Sequence, residues 1–160
     1  VKEYNFLLNN DKSNVNWYIL RYADVLLMYA EALNEWHHGP NNAALAALNM
    51  VRRRGYGLPY NEANTTVDLK STSYEGFQEY IRNERAYELA FEGNRRQDLI
   101  RWGMYYETIV NTYIKLIGWY PEANYVAYQY TQKNKHELLP IPARDMSLME
   151  NFKQNQGWGD

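Results

Sequence analysis

Apolar side chains recur at Ile19, Ala23, Leu26, Leu27, Ala30 and Leu33, the 3, 4 spacing of a single helix face, and predict a helix from Trp17 to Trp36. His38-Gly39-Pro40 predicts its end, Gly39 accepting a left-handed cap and Pro40 unable to continue. A second stripe, Ala44, Leu45, Leu48 and Val51, follows a cap at Asn41 or Asn42 and runs out near Gly55-Tyr56-Gly57. Helices joined by so tight a turn fold back antiparallel, with Ala30, Ala32, Ala44 and Ala47 allowing close approach.

The rest of the pattern is less regular. Residues 1–16 are polar and Asn-rich, an opening loop in which Phe6-Leu7-Leu8 makes one short extended contact before Asn9-Asn10-Asp11. A connecting loop fills 55–73, and a third helix is predicted from an Ser73 cap to Glu92. Gly93-Asn94 breaks the chain before further helix from Arg95 to Tyr106, with a possible extension to Leu116. Residues 117–134, with Gly118, Pro121 and many rings, read as a loop or distorted hairpin. Leu138-Leu139-Pro140-Ile141-Pro142 must be extended, because each proline disfavours the helical region for its predecessor. Ala143 to Met149 makes one helical turn, and Asn151 to Asp160 is irregular. The predicted class is mainly α: a hairpin resembling one tetratricopeptide unit, further helices, and an irregular C-terminal segment. No second copy of the hairpin follows at a fixed period, so no solenoid is expected from it.

Composition bounds the chemistry. The chain has 160 residues and 46% hydrophobic content, enough for one globular domain with a core. Its 17 basic and 19 acidic residues provide no general phosphate-binding surface, so no nucleic-acid partner is expected. Without cysteine there is no thiol nucleophile, disulfide framework or cysteine-ligated zinc, and the compartment stays open. No apolar run reaches the roughly 18 residues of a membrane span. Val1-Lys2-Glu3-Tyr4 has neither an initiating Met nor a signal-peptide pattern, from which a processed product or fragment is expected. His37, His38 and His136 lack any metal-ligand spacing and read as surface residues, and no phosphate loop, dinucleotide fingerprint or nucleophile elbow occurs. Neither a metal nor a cofactor is expected.

The segment Ile81 to Trp102 carries the most chemistry. Helical geometry places Glu84 and Glu88 in the middle of the face formed by Phe77, Tyr80, Ile81 and Phe91. A buried unpaired carboxylate costs several kcal/mol. Each acid therefore requires an arginine or backbone donors, from Arg85, Arg95 and Arg96 nearby or from Arg21 and the Arg52-Arg53-Arg54 run across the packing. The expected outcome is a structural ion-pair lattice of Glu84, Arg85, Glu88, Glu92, Arg95 and Arg96. The rival reading makes Glu84 and Glu88, or Glu88 and Glu92, a glycosidase pair, one helical turn and roughly 6 Å apart. Interleaved arginines disfavour it, since they hold acids ionised whereas an acid catalyst needs a raised pKa. The 16 tyrosines and 5 tryptophans are rings suited to wet boundaries and sugar faces. Trp119, Tyr120 and Tyr125, flanking Glu122 and Asn124, form the one candidate sugar-binding cluster; the plainer reading is that they pack this region onto the helices.

Several blocks resemble one family. Arg21 to Glu35 (RYADVLLMYAEALNE), Ala47 to Arg54 (ALNMVRRR), Ile81 to Arg85, Phe91 to Arg95, Asp98 to Gly103, Leu139 to Pro142 and Gln154 to Trp158 are similar, in order and spacing, to the C-terminal part of SusD/RagB nutrient-binding lipoproteins. Gln156 stands where the family usually has Pro, and Trp158 where Tyr is common. The resemblance implies a glycan- or nutrient-binding protein on the outer face of a bacterial outer membrane, lipid-anchored in its full-length form. It also implies partnership with a SusC-like TonB-dependent transporter, no bond chemistry, and a chain about three times longer than this one. None of the family's ligand residues maps onto a matching motif here. The alternative from another class is a structural module that docks the transporter without touching ligand. A truncated helical scaffold exposes faces that its absent neighbours cover, which predicts self-association.

Overall fold

The computed structural model describes residues 18–148 and 151–159. The predicted opening loop, with Phe6-Leu7-Leu8 and Trp17, lies outside them. Among the described residues there are seven helices and no strand: α1 (Tyr22–His37), α2 (Asn42–Gly55), α3 (Tyr74–Glu88), α4 (Asn94–Arg101), α5 (Tyr105–Trp119), α6 (Val126–Tyr130) and α7 (Ala143–Leu148). The mainly α class expected from the pattern is the class observed. Two compact units divide between Gly93 and Asn94.

The first unit is the hairpin plus α3. Leu27 and Ala30 of α1, Ala44, Ala47, Leu48 and Val51 of α2, and Phe77 and Ile81 of α3 form its core. The alanines bring α1 and α2 close together, although Ala32 faces outward. Asn41 caps α2, its side chain accepting from the Ala44 N–H at 2.9 Å. Ser73 caps α3 through the Gly76 N–H at 3.1 Å, and a Cβ at Gly76 would meet Thr72 Oγ1 at 2.6 Å. The connection between α2 and α3 is fastened by side chains of α2. Asn49 accepts from Leu69 N–H at 2.8 Å and donates to its carbonyl at 3.1 Å. Arg53 grips Asp68 with two bonds of 2.6 and 2.5 Å, which holds the Asp68 carboxyl below its ordinary range.

Several boundaries differ from the predicted ones. α1 starts at Tyr22, not Trp17. Arg21 stands before it in extended backbone, and Ile19, counted in the stripe, is 92% exposed. The left-handed cap is His38 (φ 49°), not Gly39, whose φ of 156° is nearly extended. Histidine tolerates that seat, and its ring meets Tyr74 edge-on at 6.3 Å. α3 ends at Glu88, four residues early. Arg21 donates to the Glu88 carbonyl at 2.8 Å, Leu89 leaves helical geometry while staying buried, and Phe91 turns left-handed (φ 64°) into solvent. Phe91 therefore does not share the face with Glu84 and Glu88.

In the second unit, α4 and α5 are separate helices. Gly103 (φ 67°) donates to the Ile100 carbonyl and Met104 to that of Leu99, at 2.9 and 2.8 Å, closing α4 with a left-handed glycine. α5 then runs through Gly118 to Trp119, and α6 follows, so 117–134 is no hairpin. Tyr113 and Tyr128 stack at 4.0 Å and hold α6 to α5. The segment before α7 has no regular secondary structure from 139 to 142, Leu138 closing a turn onto Lys135, and it pairs with no strand among the described residues. A side-chain amide serves instead: Gln154 accepts from Ile141 N–H at 2.7 Å and donates to its carbonyl at 2.8 Å. The Trp158 indole N–H reaches the carbonyls of Lys135 and Leu138, each at 3.0 Å. His136 is half-buried, not a plain surface residue. Its Nδ1 accepts from Gln132 N–H at 2.8 Å, and its ring lies edge-on to Trp158 at 5.3 Å.

Candidate functional site

Positions 80, 83, 84, 87 and 88 share one face of α3, three and four residues apart, and this face carries the charged cluster. Glu88 leaves only 6% of its side chain exposed, so its carboxylate depends on nearby donors for solvation. Arg21, at the start of α1, donates to Glu88 Oε1 at 2.7 Å, and its remaining nitrogens bracket Glu92 at 2.7 and 2.9 Å. Arg54, in the last turn of α2, takes Glu88 Oε2. Arg52, one half-turn earlier, donates to Glu84 Oε2 at 3.1 Å and to the Val67 carbonyl at 2.6 Å. The guanidinium groups on these three acids therefore come from the N-cap of α1 and from the last turn of α2.

The other members of the expected lattice lie elsewhere. Arg85 donates to Asp24 of α1 at 2.7 Å, both side chains being nearly enclosed. Arg95 lies over the Trp102 ring at 5.8 Å, and Arg96 over Tyr105 at 5.3 Å while donating to the His136 carbonyl at 2.7 Å. Sequence reasoning missed Asp24, Asp68 and the role of Arg53. A signal for the first was present: Asp24, Glu31 and Asn34 share the buried side of α1 with Leu27 and Ala30, a polar stripe beside the apolar one.

Electrostatics separate the two central acids. Burial pushes the Glu84 carboxyl above the usual range; Arg52 opposes this and the neighbouring Glu88 charge adds to it. The expectation that arginines keep all these acids low in pKa fails at Glu84, where desolvation outweighs one bond of 3.1 Å. Glu84 and Glu88 also line a cavity of about 640 Å³ between α2 and α3, together with Arg52, Tyr56, Tyr80 and Tyr87. Two carboxylates beside a cavity, one of them raised in pKa, are the ingredients of glycoside hydrolysis. Their bonding is not suited to it. Both oxygens of Glu88 and one of Glu84 are occupied by guanidinium donors.

The proposed sugar cluster lies in the second unit. Trp119 ends α5 with 77% of its surface exposed, and Tyr120, its cap, is 66% exposed. Tyr125 precedes α6 and is half-buried. Asn124 is exposed, and its Oδ1 accepts from Gln129 at 2.9 Å. Among the described residues no group of three His, Cys, Asp or Glu is placed to hold a metal ion, and no helix is long and apolar enough to cross a membrane.

A helical hairpin braced by arginine-carboxylate pairs, followed by a ring-rich helical segment, places the described residues in an all-helical, tetratricopeptide-like class of scaffold. The SusD family model matches residues 3–158, and the chain belongs to the SusD family. It is 36% identical to SusD-like protein P25 of Formosa agariphila over 89% of its own length and 25% of that protein. It is 30% identical to SusD-like protein P2 of the same organism, over 92% of this chain and 26% of the relative. A crystal structure of a SusD homolog from Bacteroides thetaiotaomicron superposes with a TM-score of 0.85 at 54% identity, covering 97% of this chain and 29% of that one. The chain thus spans about a quarter of the length of the curated relatives it matches.

Proposed function

We propose that this chain is the C-terminal part of a cell-surface glycan- or nutrient-binding protein, lipid-anchored in the bacterial outer membrane, that delivers its ligand to a SusC-like TonB-dependent transporter. The observation that carries this reading is the family match across nearly the whole chain. The exposed Trp119 and Tyr120, with the half-buried Tyr125, are proposed to contact the sugar. The protein binds and releases without cutting, a reading supported by the guanidinium bonds on Glu88 and Glu84. Titrating the intact protein with oligosaccharides, and repeating with Trp119→Ala, tests the reading. Binding weakened about tenfold by the loss of one stacking ring is expected. Unchanged affinity removes the ring assignment, and no binding by the parent protein removes the function.

A second reading makes this part a scaffold that docks the transporter and never touches ligand. The internal bracing of the first unit favours it, since Arg21, Arg53 and Arg85 direct their guanidinium groups to partners inside the fold. Glycan binding by the 160-residue chain alone contradicts it.

A further inference from the structure

The cavity between α2 and α3 is built from groups that the ion pairing does not exhaust. Tyr87 is 74% exposed and Tyr56 is 60% exposed at its edges, while Tyr80 and Leu69 form its less exposed wall. Asn83 contributes an exposed amide that bonds to no group among the described residues. Arg52 is fixed by its bonds to Val67 and Glu84 and lies 5.2 Å from the centre of the Tyr56 ring, with its second terminal nitrogen left over. Gly55 lines the same space, and a Cβ there would meet nothing within 4 Å.

We propose that this cavity is a second saccharide subsite, for a short neutral oligosaccharide. The inference rests on the glycan-binding reading above and adds a location in the first unit and a charge class. A volume of about 640 Å³ falls within the roughly 300–1,000 Å³ of small-ligand sites. The pyranose C–H face packs on the Tyr87 ring, and its hydroxyls meet both kinds of partner. The Asn83 amide and the remaining Arg52 nitrogen donate; the Asn83 carbonyl and the uncommitted oxygen of Glu84 accept. Neutrality follows from the charge balance of the site: Glu84, Glu88 and Glu92 are matched by Arg21, Arg52 and Arg54. An acidic sugar finds no surplus cation there, and a basic one no surplus anion.

Calorimetric titration of the intact protein against neutral gluco-, xylo- and manno-hexasaccharides, with an oligogalacturonide as the charged control, tests this. The variants are Asn83→Ala and Tyr87→Ala, both exposed and outside the core, with circular dichroism as the folding check. Each is expected to weaken binding of a neutral ligand about tenfold, or to abolish one of two binding steps. Parent binding that neither variant alters overturns this subsite and leaves the general function standing. Absence of parent binding to every saccharide overturns the function itself. Salt-sensitive preference for the galacturonide overturns the charge class.

Discussion

Replacing Arg21 by Met keeps the length and apolar stem of the side chain while deleting four bonds: one to Glu88 Oε1 at 2.7 Å, one to the Glu88 carbonyl at 2.8 Å, and two to Glu92 at 2.7 and 2.9 Å. Losing one partner of a fully buried ion pair costs about 3–5 kcal/mol, because the other charge is left stranded. Two features reduce that figure. About a quarter of the Arg21 side chain is exposed, at 24%, and Arg54 still holds the second oxygen of Glu88. A loss of about 2 kcal/mol is therefore expected. Because Arg21 links the start of α1 to the end of α3, the loss is concentrated in their separation. Native-state hydrogen exchange should show amides of α1 and α3 exchanging about 30-fold faster. Exchange within twofold of the parent at both helices would refute the clamp. Glu92→Gln, which disturbs only the more exposed arm, should cost under about 1 kcal/mol.

Other expectations follow from particular contacts. Phe77→Ala, emptying a site with no solvent exposure, should destabilise the first unit by about 3–5 kcal/mol in chemical denaturation; a change under about 1 kcal/mol contradicts the assigned core. Gln154→Leu removes both bonds to Ile141 and should raise protease sensitivity around 138–142, whereas an unchanged digestion pattern would show that the amide does not fasten this segment. Glu84 and Asp68 should act oppositely with pH. The folded state retains the Glu84 proton above the ordinary Glu value, so stability falls as pH rises through the window up to its raised pKa, and Glu84→Gln should remove that fall. Asp68 is held low, so its contribution, present above the ordinary Asp value, is lost as pH drops through its folded value, and Asp68→Asn should flatten the acid side. Unaltered slopes of denaturation midpoint against pH would contradict both.

The helical hairpin was legible because its core residues obey one period and its turn is written in Gly39, Pro40 and Asn41. Helix ends were less so, for reasons that lie outside local sequence. Arg21 cuts α1 short at its start and α3 short at its end, through bonds spanning 67 and 71 residues. The need for guanidinium partners on Glu84 and Glu88 could be argued from burial alone, but the donors were fixed only by how α1 and α2 pack on α3. Gly103 was readable as a cap and overlooked, since the polar pattern continues across it. That the proline segment is not helical was readable from stereochemistry, whereas its fastening by Gln154 depends on a partner 13 residues away. The cavity between α2 and α3 had no linear signature, as Arg52 of α2, Tyr56 at its C-cap, and Asn83 and Tyr87 of α3 lie on either side of a long connection.

The acids of α3 are clamped struts, and the proposed function is to hold sugars and leave them whole. Its most direct test is mass balance: the intact protein is incubated for days with whichever oligosaccharide it binds, and the sugar is quantified by chromatography. Quantitative recovery of uncleaved ligand, with binding demonstrated in the same sample, is the predicted result. Steady release of shorter sugars, abolished by Glu88→Gln, would contradict it.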